Sequence, residues 1–367
     1  MEEKKRDNQK HQRRVHYSGK YPRRFEEKYK ELNPEHYSEE IQHVIAKGNT
    51  PAGMHIPIMV KEILEILAIK PGERGFDATI GYGGHTLAML EQLQGQGHLI
   101  GGDVDPIESK KTEARIRAQG FGPDLWELRN MNFCQLDDLA AEVGRFDFIL
   151  ADLGVSSMQI DNPERGFTYK NDGPLDLRLN PAAGVSAAER LAEMDKESLI
   201  GMLVENADEP YAEAIAKQIV NTGRRQRIET TSQLHEVVTK ALQRVKLPPE
   251  IEAQAGYSTK KQAAAREELI KKSSARVFQA LRIDVNHEYE VLYEFMEKLP
   301  GALAPGGRAA ILTFHSGEDR IVKKAFKAFH QLGEYRDIAV DVIRPGREEC
   351  YQNSRAHSTK LRWAVRA

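Results

Sequence analysis

The sequence predicts an α/β fold in which a parallel sheet carries helices on both faces and is interrupted by an all-helical insertion. Three observations lead to this prediction. Short apolar segments alternate with helical patterns through residues 60–150, as they do in parallel sheets. A glycine-rich turn follows the first strand of this series, and an acid ends the second. After Leu153 the alternation stops, and an irregular segment and then helical patterns follow until about residue 270.

The first half of the chain predicts the elements of that sheet in regular order. Helices are indicated by apolar residues at spacings of three and four, and strands by short apolar runs between turns. The predicted elements are a helix over 60–67, a strand at Phe76, a helix over 86–93, a strand over 98–103, a helix over 106–118, an apolar segment over 125–133, a helix over 136–143 and a strand over 146–150.

The second half of the chain predicts the insertion and then the rest of the sheet. Residues 162–181 are rich in Gly, Pro, Asp and Arg and are too irregular for a strand or a helix. The polar segment 254–272 indicates a linker or an exposed helix. The remaining predicted elements are helices over 187–205, 211–222 and 232–245, a long helix over 278–298, a strand over 309–314, and two late apolar segments, 338–343 and 361–365, that could pair antiparallel.

The composition is that of an ordinary soluble protein, with 40% hydrophobic and 29% charged residues in a chain of 367. No apolar run is long enough to span a bilayer, and residues 1–6 lack the apolar stretch of a secretory signal. The two cysteines, Cys134 and Cys350, are too few for a disulfide framework or a cysteine-rich zinc site. No histidine has ligand-like spacing with acids or cysteines. We therefore expect a cytoplasmic protein without a metal.

The first thirty or so residues are basic, although the formal net charge of the whole chain is -2. Arginine pairs and lysines alternate there with Tyr17, Tyr21, Phe25 and Tyr29. Such a mixture can follow a phosphate backbone and stack on bases. It is more often a solvated tail, so both interpretations stay open.

The turn Gly81-Tyr82-Gly83-Gly84 joins a predicted strand to a predicted helix. Glycines at such a turn let a ligand approach the backbone, and Asp103, at the end of the next strand, is placed to accept two ribose hydroxyls. The pattern predicts a nucleoside-containing cofactor at the carboxyl edge of the sheet. Thr86 stands where a dinucleotide fingerprint has its third glycine. This favours a cofactor without phosphates, such as S-adenosylmethionine.

Asp152 lies where the fourth predicted strand leaves the sheet. Ligands of open parallel sheets bind outside these carboxyl ends, so an acid there is a candidate for chemistry. The alternative is that Asp152 caps the following turn, as aspartate often does.

Several motifs, taken together in their order, resemble one known family. They are Gly81-Tyr82-Gly83-Gly84-His85, Asp152-Leu153-Gly154-Val155-Ser156-Ser157, Arg165-Gly166-Phe167, Asp172-Gly173-Pro174-Leu175-Asp176-Leu177-Arg178, Phe278-Gln279-Ala280-Leu281-Arg282-Ile283, Phe314-His315-Ser316 with Glu318-Asp319-Arg320, and Ser354-Arg355-Ala356 with Lys360-Leu361-Arg362. From about His55 to its end, the chain resembles the bacterial ribosomal small-subunit RNA cytosine-N4 methyltransferases of the MraW/RsmH type. The resemblance implies a class I (Rossmann-like) S-adenosylmethionine-dependent methyltransferase sheet with an all-helical domain inserted after the fourth strand. It also implies methylation of a cytidine in the decoding region.

Together with the break after Leu153, the resemblance divides the chain into four parts. They are a basic N-terminal extension (1–54), a first part of the methyltransferase core (55–160), an inserted helical substrate-recognition domain (161–270) and a second part of the core (271–367). The implied partner is small-subunit ribosomal RNA or the assembling small subunit, without a membrane. A homodimer stays open.

The resemblance assigns a cofactor site as well. The residues that match cofactor-contacting positions of the family are Gly83, Gly84, His85, Asp103, Phe133, Asp152 and Gln159. Backbone N–H groups of the turn would meet the methionine end, Asp103 would accept hydroxyls, and Phe133 would offer an apolar face to adenine.

The implied substrate suggests how the reaction is assisted. The cytosine amine is a weak nucleophile, because its lone pair is delocalised into the ring. An acceptor that holds one N–H out of the plane would localise that pair, and alignment of reactants can supply roughly 7–11 kcal/mol in favourable systems. We expect Asp152, helped by Ser156 or Ser157, to be this acceptor, and His315 to contact the base or accept a proton.

Five arginines in the matching motifs are candidate contacts to RNA phosphates. They are Arg165, Arg178, Arg276, Arg282 and Arg355. For each of them, and for His315, a structural role is an equal alternative.

The chain departs from the family pattern at three places. It has Ser273-Ser274 where the family usually has His-Pro, Gly317 where the family usually has leucine, and the basic extension before His55. These departures leave the cofactor site intact and keep open a paralogue that acts on another RNA site. Two further functions stay open: a dinucleotide-binding oxidoreductase, against which Thr86 argues, and a non-catalytic RNA-binding protein.

Overall fold

The structure is a computed structural model that describes residues 57–247 and 258–367. The basic extension expected in residues 1–54 and the proline break near Pro248 lie outside the described residues.

Within these two described ranges, seven strands form one mixed sheet. They are β1 Arg74–Asp77, β2 His98–Asp103, β3 Trp126–Asn130, β4 Phe146–Asp152, β5 Leu303–Thr313, β6 Tyr335–Ile338 and β7 Lys360–Arg366. Their order across the sheet is β3-β2-β1-β4-β5-β7-β6. Neighbours from β3 to β5 are parallel, and β7 is antiparallel to β5 and to β6. The predicted α/β fold is confirmed, and the last two strands pair antiparallel as expected. The prediction was wrong about the first of them: the strand covers residues 335–338 and not 338–343, where Ile343 forms only an isolated bridge with Leu361.

Side chains of the central strand β4 alternate between two hydrophobic cores. Ile149 and Ala151 belong to one core, and Phe148 and Leu150 belong to the other. Since side chains on a strand point to opposite faces in turn, the two cores lie on the two faces of the sheet. Helices cover both, as the near-continuous apolar run of a buried parallel strand predicts.

The helices of the described residues follow in chain order. They are α1 Val60–Leu67, α2 Gly84–Leu93, α3 Pro106–Ala118, α4 Leu136–Val143, α5 Ser157–Asp161, α6 Ala187–Glu193, α7 Lys196–Ala207, α8 Ala212–Gly223, α9 Thr231–Gln243, α10 Thr259–Asn286, α11 Glu288–Ala302, α12 Ser316–Gln331 and α13 Arg347–Gln352. Among these described residues, no helix has the length and apolar character needed to cross a bilayer.

Two predicted helices are each two helices in the structure. The helix expected over 187–205 is interrupted between α6 and α7, because the Asp195 side chain accepts the Ser198 N–H and starts a new helix. The helix expected over 278–298 is broken at His287, which has the left-handed φ of 50° between α10 and α11. Both single-helix predictions were therefore wrong.

Helices α6 to α10 share a third hydrophobic core, separate from the two cores of the sheet. The irregular segment 162–181 contributes Phe167, Leu175 and Leu177 to it. The cap predicted at the start of α9 is confirmed, since Thr230 and Gln233 form a reciprocal capping box. The long helix α10 packs in this third core, and α11, which follows it after His287, packs in one of the two cores of the sheet.

Candidate active site

A large open cavity lies at the carboxyl ends of β1, β2 and β4, and we call it the sheet-edge cavity. It holds about 1220 Å³ of space, part of it open to solvent. Its walls are the glycine turn, the three strand ends, the segment after β4 and the first turn of α11. Of the predicted residues, the structure brings together here Gly83, Gly84, His85, Asp103, Phe133, Asp152, Ser156 and Gln159.

The glycines of the turn are required by its own geometry. Gly81 and Gly83 have φ of 48° and 85°, in the left-handed region that only glycine enters without a steric cost. A Cβ at Gly83 would lie 2.7 Å from Thr112 Cγ2, and one at Gly84 would lie 2.9 Å from Pro57 Cγ. The turn therefore packs closely against Thr112 and Pro57, and its other side faces the cavity, where a ligand can approach the backbone.

Asp103, at the end of β2, fixes the turn from the neighbouring strand. Its carboxylate accepts the Gly81 N–H at 3.0 Å and the Asp105 N–H at 2.8 Å. Burial raises the pKa of Asp103 to about 6, although the two hydrogen bonds oppose the shift. A carboxylate has about four acceptor positions, so lone pairs are left for hydroxyl donors from the cavity.

Phe133 provides an apolar surface beside the end of β3. It begins a 3₁₀ turn, Phe133–Gln135, that is held by a reciprocal capping box between Asn132 and Gln135. Its ring packs edge-on against Phe295, with the centroids 5.1 Å apart. An apolar face is thus held in a fixed position on the side of the cavity predicted for adenine.

Asp152 is the acid with an unused acceptor atom in this cavity. Its Oδ1 is buried and has no hydrogen-bond partner among the described residues. Its backbone N–H donates to Thr79 Oγ1 at 2.6 Å, which fixes the strand end on which the carboxylate stands. Burial, and then the negative charge of Glu318, raise the pKa of Asp152 to about 7.

His85 lies behind Asp152. Its Nε2 is 2.9 Å from the carbonyl oxygen of Ile58, and its Nδ1 is 3.5 Å from Asp152 Oδ2. Because a carbonyl only accepts, Nε2 carries the hydrogen. Burial lowers the pKa of His85, which keeps the ring neutral with a lone pair on Nδ1. A lone pair therefore faces the carboxylate.

Ser156 and Gln159 use their polar atoms to build the segment after β4. Gln159 Oε1 accepts the Ser156 N–H at 2.8 Å, and Ser156 Oγ accepts the Gln159 N–H at 3.2 Å. Gln159 Nε2 donates to Asp105 Oδ2 at 2.8 Å. Ser157 is the first residue of α5. The geometry gives Ser156 and Gln159 positioning roles at the rim of the cavity.

Arg165 is buried, with its side chain 7% exposed. Its Nη1 lies 2.7 Å from Oδ2 of Asp105, whose side chain is fully buried. Its Nη2 donates to the carbonyls of Arg178 and Leu179. These contacts favour a structural role for Arg165 over a contact with RNA. Arg165 joins the loop after α5 to the residues that follow β2.

Arg178 and Arg282 are also held in short ion pairs. Arg178 contacts both oxygens of Asp176, the nearer at 2.6 Å, and Arg282 contacts both oxygens of Glu288, the nearer at 2.7 Å. Two parallel bonds to one carboxylate fix a guanidinium group strongly. Both arginines are mostly buried, so their geometry again favours a structural role.

Arg276 and Arg355 are held more loosely. Arg276 lies 3.8 Å from Glu209 and is 39% exposed, and Arg355 lies 3.6 Å from Asp161 and is 36% exposed. Both distances exceed those of a charge-assisted hydrogen bond. These two arginines are the better placed of the five for a phosphate.

His315 does not line the sheet-edge cavity, whereas Glu318 does. The two form the capping box that starts α12, and His315 Nε2 lies 3.1 Å from Glu318 Oε1. Although burial opposes it, the hydrogen bond from His315 lowers the pKa of Glu318. The sequence analysis did not identify Glu318 as a residue that lines the sheet-edge cavity. The signal was there, because an acid three residues after a helix N-cap is typical of a capping box. It also missed Asp105, the shared partner of Gln159 and Arg165.

Glu288, His315 and Glu318 place their ligand atoms within 4.8 Å of one another. Arg282 donates to both oxygens of Glu288, at 2.7 and 2.8 Å. The guanidinium group of Arg282 therefore already supplies a positive charge to the carboxylate of Glu288, and this geometry does not favour a metal.

Comparisons with known proteins place the chain in a family. The model of the MraW methylase family matches residues 52–367. Ribosomal RNA small subunit methyltransferase H 1 of Agathobacter rectalis is 64% identical over 97% of this chain and 98% of its own length. Ribosomal RNA small subunit methyltransferase H 2 of Acholeplasma laidlawii is 53% identical over the whole of both chains. A crystal structure of a SAM-dependent O-methyltransferase from Thermotoga maritima, at 9% identity, covers 89% of this chain and 71% of that one with a TM-score of 0.39, a likeness too low to support an argument.

Proposed function

The chain belongs to the MraW methylase family, and we propose that it methylates the exocyclic N4 of a cytidine in the decoding region of small-subunit ribosomal RNA, with S-adenosylmethionine as donor. Relatives that share more than half of its residues over their full length are named as ribosomal RNA small subunit methyltransferases. The sheet order with a reversed β7 fits a class I methyltransferase. The observation that carries the proposal is Asp152 Oδ1 in the sheet-edge cavity, which is buried and has no hydrogen-bond partner within residues 57–247 and 258–367.

The residues of the cavity fit S-adenosylmethionine. The glycine turn would hold the methionine end, Asp103 would accept the ribose hydroxyls, and the ring of Phe133 would cover adenine. When bound there, the donor supplies an electrophilic methyl group on a sulfonium. Thr86, at the third glycine position, donates its hydroxyl to Asp77 at 2.6 Å and so belongs to the turn's own structure. Family membership sets aside the oxidoreductase alternative.

Asp152 performs the step that the cytosine amine needs. Its free Oδ1 accepts one N4–H and turns the nitrogen lone pair away from the ring, toward the incoming methyl carbon. Transfer of the methyl group would break its C–S bond, leave S-adenosylhomocysteine as a neutral thioether and move the positive charge to N4, where the Asp152 carboxylate would stabilise it. Asp152 then takes the N4 proton, since its pKa of about 7 lets it bind and release a proton near neutral pH.

His85 assists from behind the carboxylate. Its Nδ1 lone pair lies 3.5 Å from Asp152 Oδ2 and can accept a hydrogen bond from the protonated acid. The Nε2–H stays on the Ile58 carbonyl throughout, so the ring does not need to turn. We assign His85 a positioning role next to Asp152 in addition to its place at the turn.

Residues 161–270 serve in this proposal as the part that receives RNA. Arg276 and Arg355, which belong to the second part of the core and are loosely paired, are the candidate phosphate contacts next to it. The target base must leave its stack to reach the sheet-edge cavity, at a cost of roughly a few kcal/mol. A ribosomal substrate places the enzyme with the small subunit in the cytoplasm.

The proposal is tested by methyl transfer to small ribosomal subunits from cells that lack this gene. Purified enzyme and S-adenosylmethionine should add one methyl group, and mapping should find it on N4 of a cytidine in the decoding region. Naked RNA of the same subunit is tested in parallel. Methylation of another atom, or none on either substrate, would contradict the proposal.

The names of the relatives favour one alternative, in which the enzyme methylates a different cytidine of the RNA. The relatives at 53–64% identity carry the number 1 or 2, whereas those at 36% do not. A numbered group fits a paralogue, and the same mapping would then place the methyl group on a cytidine outside the decoding region.

A further inference from the structure

A second cavity lies next to the sheet-edge cavity, between the end of α7, the middle of α10 and the first turn of α12. It holds about 600 Å³, part of it open to solvent, and we call it the side cavity. His315 lines the side cavity and Glu318 lines the sheet-edge cavity. Their side chains are 3.1 Å apart, and the consecutive residues Glu288 and Tyr289 also line one cavity each, so the two linings are in contact.

The side cavity carries two loosely held arginines. Arg276 lies 3.8 Å from Glu209, and Arg320 lies 4.0 Å from Asp208. The side chain of Arg320 is 58% exposed. Two acids, Glu205 and Asp208, also line the space, so it is not a simple anion site.

An amide and two rings complete the wall. Gln279 lines the space, and no hydrogen bond of its side chain to another described residue is present. The rings of Tyr289 and His315 lie 5.8 Å apart. Guanidinium groups for a phosphate, an amide and acids for a base edge, and rings for stacking are the groups that proteins use on unstacked RNA nucleotides.

Gly317 is what allows this wall to form. A Cβ at Gly317 would lie 1.9 Å from the hydroxyl oxygen of Tyr289. Without that Cβ, Tyr289 crosses the first turn of α12 and donates to the Asn206 carbonyl at 3.1 Å. The tyrosine thus joins α11 to the end of α7 and forms one side of the space.

We propose that the side cavity binds a nucleotide that flanks the methylated cytidine, with Arg320 and Arg276 on its phosphate and Gln279 on its base. This inference rests on the proposed function and names a further RNA contact of the same site. Because His315 of one lining contacts Glu318 of the other, neighbouring nucleotides of one unstacked strand would occupy the two cavities together. Arg320, Gln279 and Gly317 become residues that select the RNA without contacting the donor.

Two substitutions test the side cavity in the full-length enzyme. Arg320→Gln removes a phosphate contact, and Gly317→Ala displaces Tyr289. Gly201→Ala is the matched control for the second, because a Cβ at Gly201 has no atom within 4 Å. The substrate is small ribosomal subunits from cells that lack the gene, and binding of S-adenosylmethionine and of the subunits is measured separately by calorimetry and by filter retention.

We expect both variants to raise KM for the subunit about tenfold, with kcat within twofold and S-adenosylmethionine affinity unchanged. Arg320→Gln should also lower the salt slope of subunit binding by about 0.7, the value for one phosphate on a single strand. If both variants match wild type and Gly201→Ala in subunit affinity and salt slope, the side cavity is not an RNA site.

Failure of the proposed function gives a different pattern. A wild-type enzyme that binds subunits without methylating them contradicts the reaction, and the binding of the two variants still decides about the side cavity. A wild-type enzyme that neither binds nor methylates the subunits overturns both.

Discussion

The sheet-edge cavity and the side cavity adjoin the same His315–Glu318 pair but are built in opposite ways. In the first, Asp103 is fixed by two backbone N–H groups, and Asp152 stands on a fixed strand end with its Oδ1 buried. In the second, Arg320 is 58% exposed and its ion pair is 4.0 Å long. Chemistry needs desolvated groups in fixed positions, whereas RNA selection can use side chains that adapt. Substitutions in the first cavity should therefore change rate and stability, and those in the second mainly RNA affinity.

The largest expected effect is on the rate. Asp152→Asn removes the proton acceptor but keeps the shape, and we expect kcat to fall about 10²–10⁴-fold, the usual value for a general base. Donor affinity measured by calorimetry should stay within a few-fold of wild type. Asp341→Asn, at an exposed acid, is the control and should leave kcat unchanged. A fully active Asp152→Asn enzyme would remove Asp152 from the mechanism.

The next effect is on stability beside the sheet-edge cavity, where Asp105 accepts a hydrogen bond from the lining residue Gln159. Arg165→Met leaves the buried carboxylate of Asp105 without its cation, although Gln159 still donates to it. We expect the free energy of unfolding to fall by about 3 kcal/mol, the low end for a broken buried pair. Urea denaturation measures it. A loss below about 1 kcal/mol would mean that the loop is not held through this pair.

A smaller effect is an increase, not a decrease, in the free energy of unfolding. The raised pKa of Asp152 means that the folded state holds a proton between pH 4 and about 7 that the unfolded state has released, so stability falls as pH rises through this window. Asp152→Asn removes the buried charge and should increase the free energy of unfolding at pH 8 by about 2 kcal/mol. This is roughly half of the full linkage value, because 21% of the side chain is exposed. Urea titrations at pH 5 and pH 8 should show the gain shrinking at the lower pH.

The smallest effect distinguishes the side cavity most clearly. Arg320→Gln should change the free energy of unfolding by less than about 0.5 kcal/mol, because an exposed long ion pair contributes little. The same urea titration measures it beside Arg165→Met. A loss close to that of Arg165→Met would show that the two cavities do not differ in the way described.

Local sequence patterns were enough to predict most of the sheet and the position of the sheet-edge cavity. Strands and short helices of the first half have strong periodicity and clear turns, and helices 106–118 and 136–143 were predicted with their observed bounds. The break at His287 could not be predicted, because a single residue in a left-handed conformation gives no signal in a continuous apolar pattern.

The role of a candidate site residue could be predicted when the residue lies at a strand end. It could not be predicted when the role depends on a partner residue. Asp103 and Asp152 follow from the edge of the sheet alone. Arg165 and His315 were expected to meet RNA, but each has an acid as partner. Arg165 pairs with Asp105, 60 residues away, and such a distant pair leaves no pattern in one sequence. His315 pairs with Glu318 in one capping box, for which the sequence does carry a local signal.

Asp105 accepts from Gln159 and Arg165 and lies two residues after the acid assigned to the ribose. S-adenosylmethionine bound to Asp103 would also stabilise the loop after α5, through the hydrogen bonds of Asp105 to Gln159 and Arg165. Coupling of this kind is reciprocal, so occupied donor sites should strengthen RNA binding and RNA should strengthen donor binding by one common factor. The enzyme would then retain RNA longest while a donor molecule is in place.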